Sequence, residues 1–410
     1  MTLIQKICEY FEYRTSHASH FLNFQRGGPL RAGHFVKQLT GYTAFIPKAL
    51  PPEPTIEYDE ELVQLLTSAE RALGKLDGIS SVLPNQDLFV SMYVKKEAVL
   101  SSQIEGTQSS LNDILEYEVD KSPDKHPKDI GEVVNYVKAM NYGLQRVKEF
   151  PLSQRLIKEI HAVLMNKGRG SEKEPGEFRR SQNWIGPSGC TLNQAMFVPP
   201  PVDEMKEAIS DLEKFLHAEN EIPILIVCGL VHAQFETIHP FLDGNGRVGR
   251  LLITFLLCQK GILQRPLLYL SHYLKLNRQE YYDRLMDVRR KGKWEEWLKF
   301  FLRGVHSVSK EASEKARKIV AMREKHRQLI SSNLKNLSSG LKFHDYLFDH
   351  PVCNSQMVQD YLKTTYYVAN KLLDQFVDLG LLKTTTKRKR NKHYFYKEYC
   401  ELFEDEPHYS

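Results

Sequence analysis

The chain has 410 residues, enough for two or three domains of ordinary size, and its 41% hydrophobic composition can fill real cores. A net charge of +5 over that length gives no overall argument for nucleic acid, and no apolar run reaches the ~18 residues of a membrane span. Six cysteines, Cys8, Cys190, Cys228, Cys258, Cys353 and Cys400, stand singly without a C-x-x-C pair, which excludes the common zinc and redox patterns and suits a reducing cytoplasm.

Residues 1–50 have weak periodicity and punctuation such as RGGPLRAGH, which predicts a poorly ordered arm. The opening MTLIQKICEYFEYRTSHASHF lacks the apolar core and small-residue cleavage site of an export signal. After LPPEP, residues 51–302 are predicted as one mostly helical domain. Apolar residues recur at three and four spacing in EELVQLLTSAERAL, DIGEVVNYVKAMNYGLQRV and SQRLIKEIHAVLM. One stretch interrupts it: residues 183–201, NWIGPSGCTLNQAMFVPPP, set turn residues between short apolar pieces and predict an exposed hairpin or loop. Trp294, Trp297 and Phe301 are predicted as core. Residues 303–340 then read as a charged helical linker ending in SSNLKNLSSG. Residues 341–410 hold two short amphipathic helices followed by strand, basic turn and strand, the pattern of a small α+β winged helix.

The chemistry concentrates in IHPFLDGNGRVGR. Pro240 cannot continue the apolar helix before it, so His239 is predicted at that helix's end. Asp243-Gly244-Asn245-Gly246 tolerates positive φ, letting successive backbone N–H groups converge on an anion where the next helix starts. Arg247 and Arg250, three apart, are predicted on one face within reach of phosphate oxygens. Asp243 is placed to hold Mg²⁺ together with phosphate oxygens, and His239 to act as general base on a hydroxyl.

The string matches H-P-F-x-D/E-G-N-G-R-x-x-R at every specified position, and on it the chain resembles the Fic-domain proteins, over roughly residues 42 to 301. The resemblance implies a mainly α protein, with a helical Fic core, a β-hairpin flap and a C-terminal winged helix. It also implies a nucleotidyltransferase that moves AMP from ATP to a Ser, Thr or Tyr hydroxyl of a target protein or of itself. By that likeness His239 deprotonates the hydroxyl, Asp243 binds Mg²⁺, and the run Gly244, Asn245, Gly246, Arg247, Val248, Gly249 and Arg250 holds the nucleotide. Tyr282 is expected at the adenosine end, with Tyr281 as its competitor. Ser101-x-x-x-Glu105-Gly106 resembles the family's inhibitory motif, which implies a restraining helix near 92–106 whose Glu105 pairs with Arg250. Residues 183–201 resemble the flap that holds the target segment as an added strand.

Alternatives stay open at this level: removal of AMP, transfer of another phosphate-containing group, or a DNA-binding regulator using the winged helix. A homodimer and DNA both remain open as partners. The basic run Lys387 to Arg390 favours a phosphate contact, whereas the would-be recognition helix holds one basic residue, Lys371, beside Asp374 and Asp378.

Overall fold

The computed structural model describes residues 31–81, 86–187, 189–219, 221–384 and 392–403. The chain is mainly helical. Residues 31–50, expected as part of an arm, instead carry a hairpin, β1 (Gly33–Lys37) and β2 (Thr43–Pro47), paired antiparallel from Gly33↔Pro47 to Lys37↔Thr43. Five-residue strands are too short to register as an alternation, and tertiary contacts hold them. Phe45 is buried and its N–H donates to Val198 O at 3.0 Å. Before the hairpin, the Arg31 guanidinium forks onto Glu295, both N···O distances 2.9 Å. Residues 1–30 of the expected arm lie outside the described residues.

Helices α1 (Glu60–Ser81), α2 (Gln86–Ile104), α3 (Leu111–Val119), α4 (Ile130–Arg146) and α5 (Gln154–Leu164) form the first half of the core. Local chemistry sets their ends. Ser110 and Asp113 close a capping box on α3, and the Ser153 hydroxyl accepts from Leu156 N–H at the start of α5. The second half comprises α6 (Val202–His217), α7 (Ile224–Ile238), α8 (Asn245–Gln259), α9 (Ser271–Leu276) and α10 (Arg278–Lys291). From Leu225 to Ile238 every residue of α7 is buried, so this helix is the axis around which the others pack. Gly143 lets α4 close onto α8, because a Cβ there would lie 2.2 Å from the Phe255 ring.

The expected linker at 303–340 is mostly the continuation of one 40-residue helix, α11 (Trp294–Asn333). Its buried stripe runs on through Val305, Val308, Ala312, Ala316 and Ile319 at three and four spacing, so it packs along α1 rather than spanning solvent. Trp294, Trp297 and Phe301 are buried at its start, and Trp297 Nε1 donates to Gly229 O at 2.8 Å. Trp297→Ala is expected to cost about 3–5 kcal/mol, read as a lowered urea midpoint with an unchanged slope.

After α11 come α12 (Leu337–Tyr346), β3 (Val352–Asn354), α13 (Ser355–Leu362), α14 (Tyr366–Asp378), β4 (Lys383–Thr384), β5 (His393–Phe395) and α15 (Lys397–Glu401). The strands make an antiparallel sheet in the order β3-β5-β4. The basic run Lys387 to Arg390 lies outside the described residues. This segment is fastened to α2: Lys96 Nζ donates to Phe403 O at 2.8 Å, Lys95 Nζ to Asp349 O at 3.2 Å, and the Tyr93 and Phe403 rings meet edge-on. Among the described residues no helix is long and apolar enough to cross a membrane.

Candidate functional site

Helix α7 stops at Pro240, and His239 just before it takes a left-handed conformation, φ 49° and ψ 60°. That geometry costs a non-glycine residue about 1–2 kcal/mol, and the surroundings hold it. The His239 carbonyl accepts from Arg179 Nε and Asn183 Nδ2, each at 3.1 Å, and Arg179 N–H donates to Pro240 O at 2.9 Å. On the ring, Nδ1 donates to Glu236 O at 3.3 Å, which leaves Nε2 as the bare acceptor. Burial, helped by Arg289, pushes the imidazole down to about 4, so it is neutral at physiological pH.

The following turn is built by its own side chains. Asn245 Oδ1 accepts from Phe241 N–H and its Nδ2 donates to Phe241 O, both at 2.8 Å, so its amide orders the loop and leaves only its backbone for a ligand. Gly244, at φ 75°, turns the chain into α8, whose first bond runs from Val248 N–H to Gly244 O at 3.0 Å. The N–H groups of Asn245, Gly246 and Arg247 precede that bond and carry the positive end of the helix. From below, the His161 ring stacks on Phe241 with centroids 3.7 Å apart. His161 Nδ1 accepts from Gly176 N–H, so Nε2 carries the proton it donates to Asp243 O at 3.1 Å.

The Asp243 carboxylate accepts from Gly244 N–H at 2.6 Å, lies 3.4 Å from Lys173 Nζ and remains partly exposed. Among the described residues no group of three metal-ligating side chains occurs, so a cation at Asp243 would take its other ligands from phosphate or water. A partly exposed carboxylate beside a helix start fits Mg²⁺, which keeps several such ligands, although Lys173 and Arg247, at 3.4 and 3.7 Å, already share it.

The two arginines differ. Arg247, buried, donates from Nη1 to Glu132 Oε2 on α4 at 3.1 Å, so a large part of its charge is already committed. Arg250, also buried, donates from Nε to Ser101 Oγ at 2.7 Å, and from Nη2 to Ser101 O at 3.0 Å and Glu105 Oε1 at 2.7 Å. Burial works to raise the Glu105 carboxyl, but Arg250 outweighs it and holds the group below its ordinary value. Glu105 Oε1 lies against the first turn of α8: a Cβ on Gly246 would be only 2.3 Å from it. A carboxylate therefore sits at the anion-attracting end of this helix.

Val248 and Gly249, expected in the nucleotide-contact run, turn elsewhere. Val248 is wholly buried in the core, and Gly249 faces α7, with its carbonyl bonded to His232 Nδ1 at 3.0 Å. Of the neighbouring tyrosines, Tyr281 is buried with its OH on His232 Nε2 at 2.8 Å, whereas Tyr282 is 37% exposed with Arg278 over its ring. Only Tyr282 can meet a ligand from solvent.

The described residues of 183–201, all but 188, form a bridged loop rather than a hairpin ladder. One bridge, Ile185↔Phe197, ties the two sides, with Trp184 and Met196 exposed beside it. Pro187 and Pro199–Pro201 lack the N–H groups a longer ladder needs. The loop is anchored on the other side by Phe45 N–H to Val198 O, and by Arg289 stacked over Phe197 at 4.0 Å.

A second buried network has no local signature in the sequence. Glu97 on α2 accepts from Ser271 N–H at 3.1 Å, Ser271 Oγ at 2.5 Å and Tyr136 OH at 3.2 Å, and burial pushes its carboxyl up to about 7. Between the ordinary 4.5 and about 7 the folded chain holds a proton that the unfolded chain has released, so stability falls as pH rises through that window. Glu97→Gln is expected to flatten this fall, checked by urea midpoints at several pH values across the window.

Comparison with known proteins follows the same lines. The Fic/DOC family N-terminal model matches residues 63–145, and the Fic/DOC family model matches residues 151–257. A probable protein adenylyltransferase of Aquifex aeolicus is 30% identical over 181 residues, 43% of this chain and 51% of the relative. The protein adenylyltransferase Fic of Drosophila persimilis is 30% identical over 239 residues, 53% of this chain and 42% of the relative. The chain thus spans about half the length of these relatives. A crystal structure of a Fic family protein from Desulfovibrio desulfuricans G20 shares the fold, with TM-score 0.53 at 18% identity, over 83% of this chain and 97% of that one.

Proposed function

We propose, for a chain that carries the Fic/DOC family N-terminal segment followed by the Fic/DOC domain, that it is a protein adenylyltransferase moving AMP from ATP to a protein hydroxyl. The printed names of the relatives support the reading. The observation that carries it is a neutral histidine, bare at Nε2, beside the start of α8 and a buried arginine. His239 Nε2 takes the proton of the acceptor hydroxyl as that oxygen bonds the α-phosphorus. The bond from the α-phosphorus to the bridging oxygen breaks, and pyrophosphate leaves with its electron pair. The N–H groups of Asn245, Gly246 and Arg247 and the Arg250 guanidinium meet the phosphate charge as it redistributes. Asp243 would hold Mg²⁺, which would supply positive charge to neutralise phosphate oxygens. Tyr282 lines the adenosine end.

Residues 183–201 receive the target segment, which the Ile185 and Phe197 backbone orients. Glu105 restrains the reaction by occupying Arg250 and the start of α8, while Ser101 fixes the same guanidinium from behind. The C-terminal segment, in the order of a winged helix, serves partner or subunit contacts in preference to DNA, since α14 exposes Asp374 and Asp378 beside Lys371.

The test is incubation with Mg²⁺ and ATP labelled at the α- or, separately, the γ-phosphate. The α-label is expected to stay on protein and the γ-label to leave with pyrophosphate. Retention of the γ-label alone would make the chain a phosphotransferase.

A further inference from the structure

The last turn of α7 holds a carboxylate that the scheme above does not use. Glu236 has a side chain 8% exposed, its Oε2 is 3.9 Å from His239 Nδ1, and its Oε1 is buried with no hydrogen-bond partner. A carboxylate kept only for the fold would be expected to have its oxygens paired, because an unsatisfied buried acceptor costs stability. The helix facing it makes room. Gly249 stands at a free position of the motif, in a helix interior where glycine is less stable than alanine, and a Cβ there would lie 2.6 Å from Oε1. The groups facing Glu236 are two guanidiniums, Arg250 from α8 and Arg289 from α10, against Glu105 just past the end of α2 and the Tyr281 hydroxyl. Arg289 also grips the last turn of α7 through Nη2 to Glu236 O at 2.9 Å and Nε to Thr237 Oγ1 at 3.0 Å. A proton arriving on His239 would meet the guanidiniums of Arg289 and Arg179, opposed by Glu105, while the Glu236 carboxylate stands 3.9 Å away on the Nδ1 side.

We propose that Glu236 is a positioning residue for His239: its carboxylate stands behind Nδ1, reinforces by its charge the bond that the Glu236 carbonyl accepts from Nδ1, so keeps Nε2 presented to the acceptor hydroxyl, and balances the imidazolium that forms. The kinetic part of this proposal rests on the adenylyl-transfer reading. Its tautomer part does not. Burial pushes the Glu236 carboxyl up to about 7, with Arg250 and Arg289 opposing and Glu105 adding to the rise, so the carboxylate form grows in through neutral pH.

The experiment uses the full chain with ¹⁵N-histidine, the His239 signals being identified by their loss in His239→Ala. Wild type is expected to show His239 protonated at Nδ1, with an inflection near pH 7 as Glu236 ionises. Glu236→Gln, of the same shape, is expected to lose that inflection and populate both tautomers. Gly249→Ala, which crowds Oε1 while keeping the charge, is expected to shift the inflection. In the Glu105→Gly background, Glu236→Gln is expected to lower kcat ~10- to 100-fold with KM for ATP nearly unchanged, and Glu236→Asp to recover part of the loss. An unchanged His239 tautomer and titration in Glu236→Gln would overturn the proposal. Absence of α-label from Glu105→Gly itself would instead overturn the adenylyl-transfer reading, and the tautomer comparison would still decide the role of Glu236.

Discussion

His239→Ala is expected to abolish transfer of the α-label, a loss of at least ~100-fold, while the melting temperature stays close to that of the parent. The imidazole is partly exposed, and its ring makes one long hydrogen bond, Nδ1 to Glu236 O at 3.3 Å. The contacts that fasten this corner go to the His239 carbonyl, which alanine keeps: Arg179 Nε and Asn183 Nδ2. Removing the side chain therefore takes away the proton acceptor and little packing. Labelling at the parental rate would mean that another group takes the proton. A collapse of the melting transition would mean that the side chain supports the fold.

Glu105→Gly is expected to raise the rate by one to two orders of magnitude, with His239 still required. The Glu105 carboxylate holds Arg250 Nη2 at 2.7 Å and lies over Gly246, so an ATP phosphate arriving at the start of α8 must displace it or bind out of line. A misplacement of about 1 Å can cost ~100-fold, about 2.7 kcal/mol at roughly 1.4 kcal/mol per tenfold. Arg250→Ala is expected to act in the opposite direction, since the phosphate loses the same guanidinium. It also strands Ser101 and Glu105, so its stability is to be measured alongside its rate. Paired changes of opposite sign at two ends of one salt bridge separate restraint from general destabilisation. Equal initial rates of α-label incorporation by the parent and Glu105→Gly would leave Glu105 as an ordinary ion-pair partner.

How much of this was legible in the sequence depended on distance along the chain. The helical core and the end of α7 could be read, because three-and-four spacing and Pro240 are local signals. The turn at Gly244 could be read because few residues adopt its φ. What escaped lies in partners far apart. Arg247 meets Glu132 115 residues away, His161 meets Asp243 82 residues away, and Arg179 meets the His239 carbonyl 60 residues away. None of these three distant partners has a spacing that marks it. Arginines three apart on α8 carry the same local signal, yet one meets α4 through Glu132 and the other meets α2 through Ser101. The hairpin at β1 and β2 was missed because its strands are stabilised by Val198 and the core, not by their own pattern. The supposed linker was misjudged because its charged residues masked the apolar stripe along α11.

The most direct measurement is the intact mass of the full-length Glu105→Gly variant, and of the same variant carrying His239→Ala, after incubation with Mg²⁺ and ATP. The account expects the first to gain the mass of one or more adenylyl groups and the second to gain none. A gain of phosphate mass, the same adduct in both, or no adduct in either would contradict it.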